Sequence, residues 1–203
     1  MPPYGRRVFI NVPFDRRYKK LFDALVFTVH DCGFHARCAL EGSDASQVRV
    51  EKLYELIRDC KYGIHDLSRT TLDTVNRLPR FNMPLELGIF LGAKRFGGSP
   101  HSGKVALVLD SQPYRYQKFC SDIAGQDVRA HANTVAGAIG AVRAWLRTNA
   151  SGVELPGEVE IERRYAQFAR ELLTMCRQQG LRPASLGFVD YRAMVLAWQE
   201  ANP

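Results

Sequence analysis

The chain predicts an α/β fold of the flavodoxin-like or Rossmann-like class, a mostly parallel sheet with flanking helices. Three observations lead there. Short apolar runs have the length of buried strands, the stretches between them repeat apolar residues every three to four positions, and the two kinds alternate along residues 7–148. Strand, helix and strand in succession read as right-handed crossover units of a parallel sheet.

Residues 7–11 (Arg-Val-Phe-Ile-Asn) make the first strand, stopped at Pro13. Tyr18, Leu21, Phe22, Leu25, Val26 and Val29 then fall at helical spacing, and Cys32-Gly33 ends that helix. Residues 34–40 predict a second strand. Gly42-Ser43-Asp44 supplies turn and cap chemistry for a second helix, whose Val50, Leu53, Ile57 and Cys60 share a face. A third strand over 62–67 carries Asp66 near its end. The third helix begins at Asn82, read as its cap, with Pro84 tolerated in the first turn and Gly97-Gly98 beyond its end. Residues 104–110 form a continuous apolar strand of the kind covered on both faces. A loop, a short helix near 117–123 and an edge strand near 127–131 follow. Residues 134–148 are helical through Val135, Ile139, Val142 and Leu146.

Residues 149–157 mark a boundary by composition, which divides the chain into an α/β domain over 1–150 and an αα-hairpin over 151–203. The hairpin carries an apolar stripe of Ile161, Tyr165, Phe168, Leu172, Met175, Tyr191, Met194, Val195 and Trp198. It is too short to bury a core alone. It must dock, either on its own sheet domain or on another copy as a homo-oligomer.

With 203 residues, 46% hydrophobic and 24% charged, the chain has the composition of an ordered globular protein. No apolar run approaches the roughly 20 residues needed to span a bilayer, and the N-terminus leads into a strand instead of a signal-peptide core. A cytoplasmic protein without a membrane partner is expected. The net charge of +7 and the pI near 9.3 suit nucleic acid, an acidic surface or a phosphorylated small molecule. The cations are scattered in ones and twos and no nucleic-acid-binding signature occurs, so nucleic acid is not the expected partner. Five cysteines without a Cys-x-x-Cys pair, and dispersed histidines, predict reduced thiols and no metal site.

The most informative stretch is residues 80–94. Met83, Leu85, Leu87, Ile89, Phe90, Leu91 and Ala93 leave no polar face on the helix they imply, and such a helix belongs inside a protein. Glu86 interrupts it. A carboxylate there either faces a ligand cleft or pairs with a base such as Arg80 or Arg37. In an open parallel sheet, ligands bind beyond the carboxyl ends of the strands. The places to search are therefore Asn11-Val12-Pro13-Phe14-Asp15, the stretch from Arg37 to Asp44, Asp66-Leu67-Ser68, and the turn from Asn82 to Glu86. Neither a Gly-x-Gly-x-x-Gly turn after the first strand nor a Walker loop is present, which argues against a standard dinucleotide oxidoreductase or nucleoside triphosphatase.

The Asn-x-Pro-Phe after the first strand, the Asp-Leu-Ser ending the third and Arg80-x-Asn82-x-x-x-Glu86-Leu-Gly88 opening the next helix resemble the nucleoside 2-deoxyribosyltransferases and the bacterial TIR-like (Toll/interleukin-1 receptor-like) NAD-cleaving domains. The resemblance covers residues 7–110, and the hairpin has no counterpart in it. It implies a nucleotide-binding domain that cleaves or transfers an N-glycosidic bond, in prokaryotic defence or signalling. NAD or a related nucleotide would be the substrate class, and no cofactor is implied. Glu86 would be the reactive carboxylate, and Asp66 the acid that holds ribose hydroxyls or protonates the leaving group. Asn82 would orient Glu86, while Asn11, Pro13, Phe14, Asp15 and Ser68 would line the site. Arg37, Arg49 and Arg80 are candidates for phosphate, and Phe14 or Tyr18 for stacking on a base. A sensing module that binds a nucleotide signal without cleaving it stands as the alternative.

Overall fold

The protein is described by a computed structural model covering residues 2–42, 46–70, 72 and 80–203. Ser43 and Asp44, read above as turn and cap chemistry, lie outside the described residues. Five parallel strands, β1 (Arg7–Asn11), β2 (His35–Arg37), β3 (Tyr62–Asp66), β4 (Val105–Asp110) and β5 (Val128–Ala130), form one sheet in the order β2-β1-β3-β4-β5. This is the expected flavodoxin-like arrangement. The chain runs left from β1 to β2 and then crosses to β3, so the carboxyl ends of β1 and β3 diverge at a switch point.

The sheet sorts its residues by the strand period of two. Val8, Ile10 and Val12 join one core with α1 (Lys19–Asp31) and α4 (Val135–Asn149), while Phe9 faces α2 (Arg49–Asp59) and Phe90 of α3 (Asn82–Phe96) on the opposite side. Gly63 of β3 lets α3 approach closely. A Cβ there would stand 2.7 Å from the Phe90 ring and 2.7 Å from His65 Nε2.

α5 (Glu158–Gln178) and α6 (Phe188–Ala201) dock on α1 within the same chain. Their stripe meets Phe27, whose ring stacks on Phe168 at 5.3 Å and lies near Tyr165 and Trp198. The helical spacing of 18–29 predicted one buried face for α1. Because the hairpin covers the other, Ala24, Phe27, Thr28 and His30 are buried as well.

Some elements differ from the sequence reading. β2 is three residues long, since its strand partner β1 pairs only over 35–37. The helix expected near 117–123 resolves into two 3₁₀ turns, Arg115–Lys118 and Ser121–Ile123. α3 is not enclosed on all sides: Met83, Leu87 and Phe90 are buried, but Leu85 is 60% and Phe96 is 85% exposed. Among the described residues, α3 packs on the sheet, α2 and the 3₁₀ turns, and its outer face is left to solvent. Among the described residues, no helix is long and apolar enough to cross a membrane.

Candidate functional site

At the switch point, the loop leaving β1 faces the first turns of α2 and α3 across a cleft of about 300 Å³. Asn11, Pro13, Phe14, Arg49, Arg80, Asn82 and Glu86 line it, together with Val12 and Met83. A smaller cavity of about 200 Å³ continues it between α2 and α3, past Arg49, Asn82, Leu85 and Glu86.

Asn11 positions the helix that carries Glu86. Its amide Nδ2 donates to the Met83 carbonyl at 2.9 Å and meets His65 Nδ1 at 3.1 Å, both inside the protein. That contact makes His65 Nδ1 the acceptor, and burial pushes the ring's pKa down to about 3, so His65 is a neutral support for the amide. Asn11 is thereby a fixed strut between β1 and α3.

Glu86 sits one turn along α3, half-buried, and among the described residues it makes no ion pair or hydrogen bond. The pairing with Arg80 or Arg37 is not formed. Arg80 instead bonds Asp15 at 3.3 Å, and Arg37 bonds Glu41 at 2.5 Å. Burial pushes the Glu86 carboxyl from 4.5 up to about 7, against the opposing pull of the Arg49 guanidinium. Desolvation therefore outweighs both the cation and the helix dipole.

Asn82 is not the cap of α3. Phe81 holds that place in αR geometry, without a side-chain cap bond, and Asn82 is the first helical residue with its side chain exposed at the cleft. α2 likewise starts after Val48 without a side-chain cap. Among the described residues, the Arg49 and Val50 amides of α2 and the Asn82 and Met83 amides of α3 have no hydrogen-bond partner and can meet an anion, and Arg49 and Arg80 add full charges beside them. Asp15 does not line this cleft. It accepts from the Arg17 and Tyr18 amides at 3.0 and 2.9 Å, which shapes the turn into α1, and it holds Arg80 at the rim.

The other expected residues lie elsewhere. Asp66 is fully buried, bonded to the Tyr18 hydroxyl at 2.5 Å and to the Ser68 amide at 2.7 Å, with His131 Nε2 2.9 Å away. The Asn133 amide donates to His131 Nδ1, so Nε2 carries the proton and faces Asp66. Tyr18 is consumed by the same cluster, and burial beside Asp66 raises its pKa well above 10.0. Ser68 is buried next to Asp66. Arg37 is held with Glu41, which also binds Arg192 of α6, beside a separate surface cavity. Sequence reasoning missed the pairing of His131 with Asp66 and the strut role of Asn11. Neither leaves a periodic signal, since each joins residues from elements distant in sequence.

No protein-family model and no curated protein matches the chain.

Proposed function

We propose that the chain cleaves or transfers the N-glycosidic bond of an NAD-type nucleotide, with Glu86 as the reactive carboxylate. One observation carries this: a half-buried glutamate with a raised pKa, without an ion-pair or hydrogen-bond partner among the described residues, faces a cleft into which Arg49, Arg80 and the starts of α2 and α3 also project. Such a carboxylate is costly to keep and is suited to a positive charge that develops beside it.

The burial of Asp66 supports a substrate whose leaving group needs no proton. With Asp66 sealed behind Tyr18 and His131, Glu86 is the carboxylate that lines the cleft among the described residues, and no second acid among them stands by to protonate a leaving group. A pyridinium base needs none. When its C1′–N bond breaks, the electron pair returns to the cationic nitrogen and nicotinamide leaves neutral. Glu86 stabilises the ribosyl cation, water forms the new C1′–O bond, and its proton passes to Glu86 and then to solvent. The products balance as nicotinamide, ADP-ribose and one proton. Phosphates would lie against Arg49, Arg80 and the leading amides.

The same burial of Asp66 also favours a second reading, a nucleotide sensor that binds in this cleft without turnover. Incubation with NAD separates the two. Release of nicotinamide by the wild type and its loss in Glu86→Gln supports the enzyme; binding of NAD without any nicotinamide release selects the sensor, and absence of both overturns the nucleotide reading.

A further inference from the structure

A second cavity of about 190 Å³ opens where the loop after β1 meets the start of α6. Its apolar walls include Phe14, Phe22, Leu40, Leu186 and Phe188. Phe22 is edge-on to Phe14 at 5.4 Å and near the Phe188 ring at 5.9 Å, and with Tyr191 four aromatic side chains line it. Pro13 and Phe14 belong to both cavities and form the ridge between them. Arg80 lines the Glu86 side of that ridge, Arg16 lines the far side, and Asp15 between them holds Arg80.

We infer that this second cavity receives the distal base of a dinucleotide whose scissile ribosyl bond lies at Glu86, its pyrophosphate crossing the Pro13–Phe14 ridge between Arg80 and Arg16. The inference rests on the proposed function and extends it to a part of the fold built by the hairpin. The chemistry of the walls is specific. Ring edges and branched aliphatic groups suit a flat heterocycle, whereas a phosphate or sugar would forfeit its hydration there. The polar rim of Asp15, Arg16, Lys19 and Asp23 can meet the edge of the base and the ribose. Lys19 and Asp23 are paired at 2.9 Å, which leaves the cationic surplus with Arg16. Phe14 and Leu40 are 39% and 42% exposed, so two apolar side chains stand half in water at the mouth and gain a cover when the base enters.

The test compares binding of NAD and of nicotinamide mononucleotide by calorimetry, in wild type, Leu40→Trp and Leu40→Ala, each checked for an unchanged melting temperature. Wild type is expected to favour NAD by about tenfold or more, the range that one stacked base supplies. Leu40→Trp, which fills the mouth, is expected to reduce that preference to within about twofold, and Leu40→Ala to weaken it in part. Equal affinities of wild type for the two nucleotides, or a preference that survives Leu40→Trp, overturn the second cavity even if nicotinamide is released. A preference that Leu40→Trp removes, in a protein that releases no nicotinamide, keeps the cavity and overturns the catalytic reading. Binding of neither nucleotide overturns both.

Discussion

Replacing Glu86 by Gln should make the protein more stable at pH 8 while removing its activity. The carboxyl's pKa rises from 4.5 to about 7 on folding, and each pKa unit corresponds to about 1.4 kcal/mol. That sets an upper bound of about 3 kcal/mol for the cost of keeping Glu86 ionised. Solvent at the open side of the cleft screens part of it, which leaves about 1 to 3 kcal/mol. The folded state binds more protons than the unfolded state between pH 4.5 and about 7, so this group's contribution falls as pH rises through that window and is lowest above it. Gln is nearly the same shape and has no charge to desolvate. The expected gain in Tm at pH 8 is about 2 to 10 °C for a chain of this size, shrinking to less than about 1 kcal/mol at pH 5. Thermal unfolding of both proteins by circular dichroism at the two pH values measures it. Buried His30 and His65 also titrate across this range, but they are common to both proteins and cancel in the difference. A variant that is less stable than wild type at pH 8, or a difference independent of pH, would show that Glu86 has a partner in the fold and is not held in reserve for a ligand.

The pH dependence of turnover should follow the same carboxyl. Activity requires the ionised form, so kcat/KM is expected to rise through about pH 7. Arg49→Ala removes the charge that opposes the upward shift and should move the limb to higher pH; an unmoved limb would dissociate Arg49 from Glu86. His30 and His65 are pushed down to about 3 by burial. The unfolded chain therefore takes up their protons first as pH falls below about 6.5, and each ring should cost about 2 kcal/mol of stability by pH 5. Urea unfolding at pH 7 and pH 5 reads this loss, and a His65→Gln variant should lose correspondingly less. Phe168→Ala should cost about 3 to 5 kcal/mol, since Phe168 is fully buried between Phe27, Tyr191 and Trp198. Truncation after Ser151 should yield an aggregating chain, and a soluble fragment with wild-type Tm would contradict the docking. Gly63→Ala should cost about 1 to 3 kcal/mol by forcing Phe90 and α3 off the sheet, with weaker nucleotide binding as α3 shifts Glu86.

Residue order alone determined which segments are strands and which are helices, because those states follow from local periodicity. Arg7–Asn11, Tyr62–Asp66 and Val105–Asp110 read as strands, and Val135–Asn149 as a helix, from their own side chains. It also singled out Glu86, since a carboxylate within an apolar run is anomalous whatever surrounds it. The tertiary structure decided what each of these residues faces. Asp66 and Glu86 follow equally suggestive patterns, yet Asp66 is closed off by Tyr18 from one helix entry and His131 from the far edge of the sheet, while Glu86 opens on the cleft. Asn82 carries the chemistry of a helix cap, but the chain begins its turn one residue earlier, and its amide is left at the cleft. α1 shows one apolar face by count and is covered on both, because α5 and α6 return to it from more than a hundred residues away. Burial, and with it the raised pKa of Glu86, is a property of neighbours distant in sequence, which periodicity within one segment does not encode.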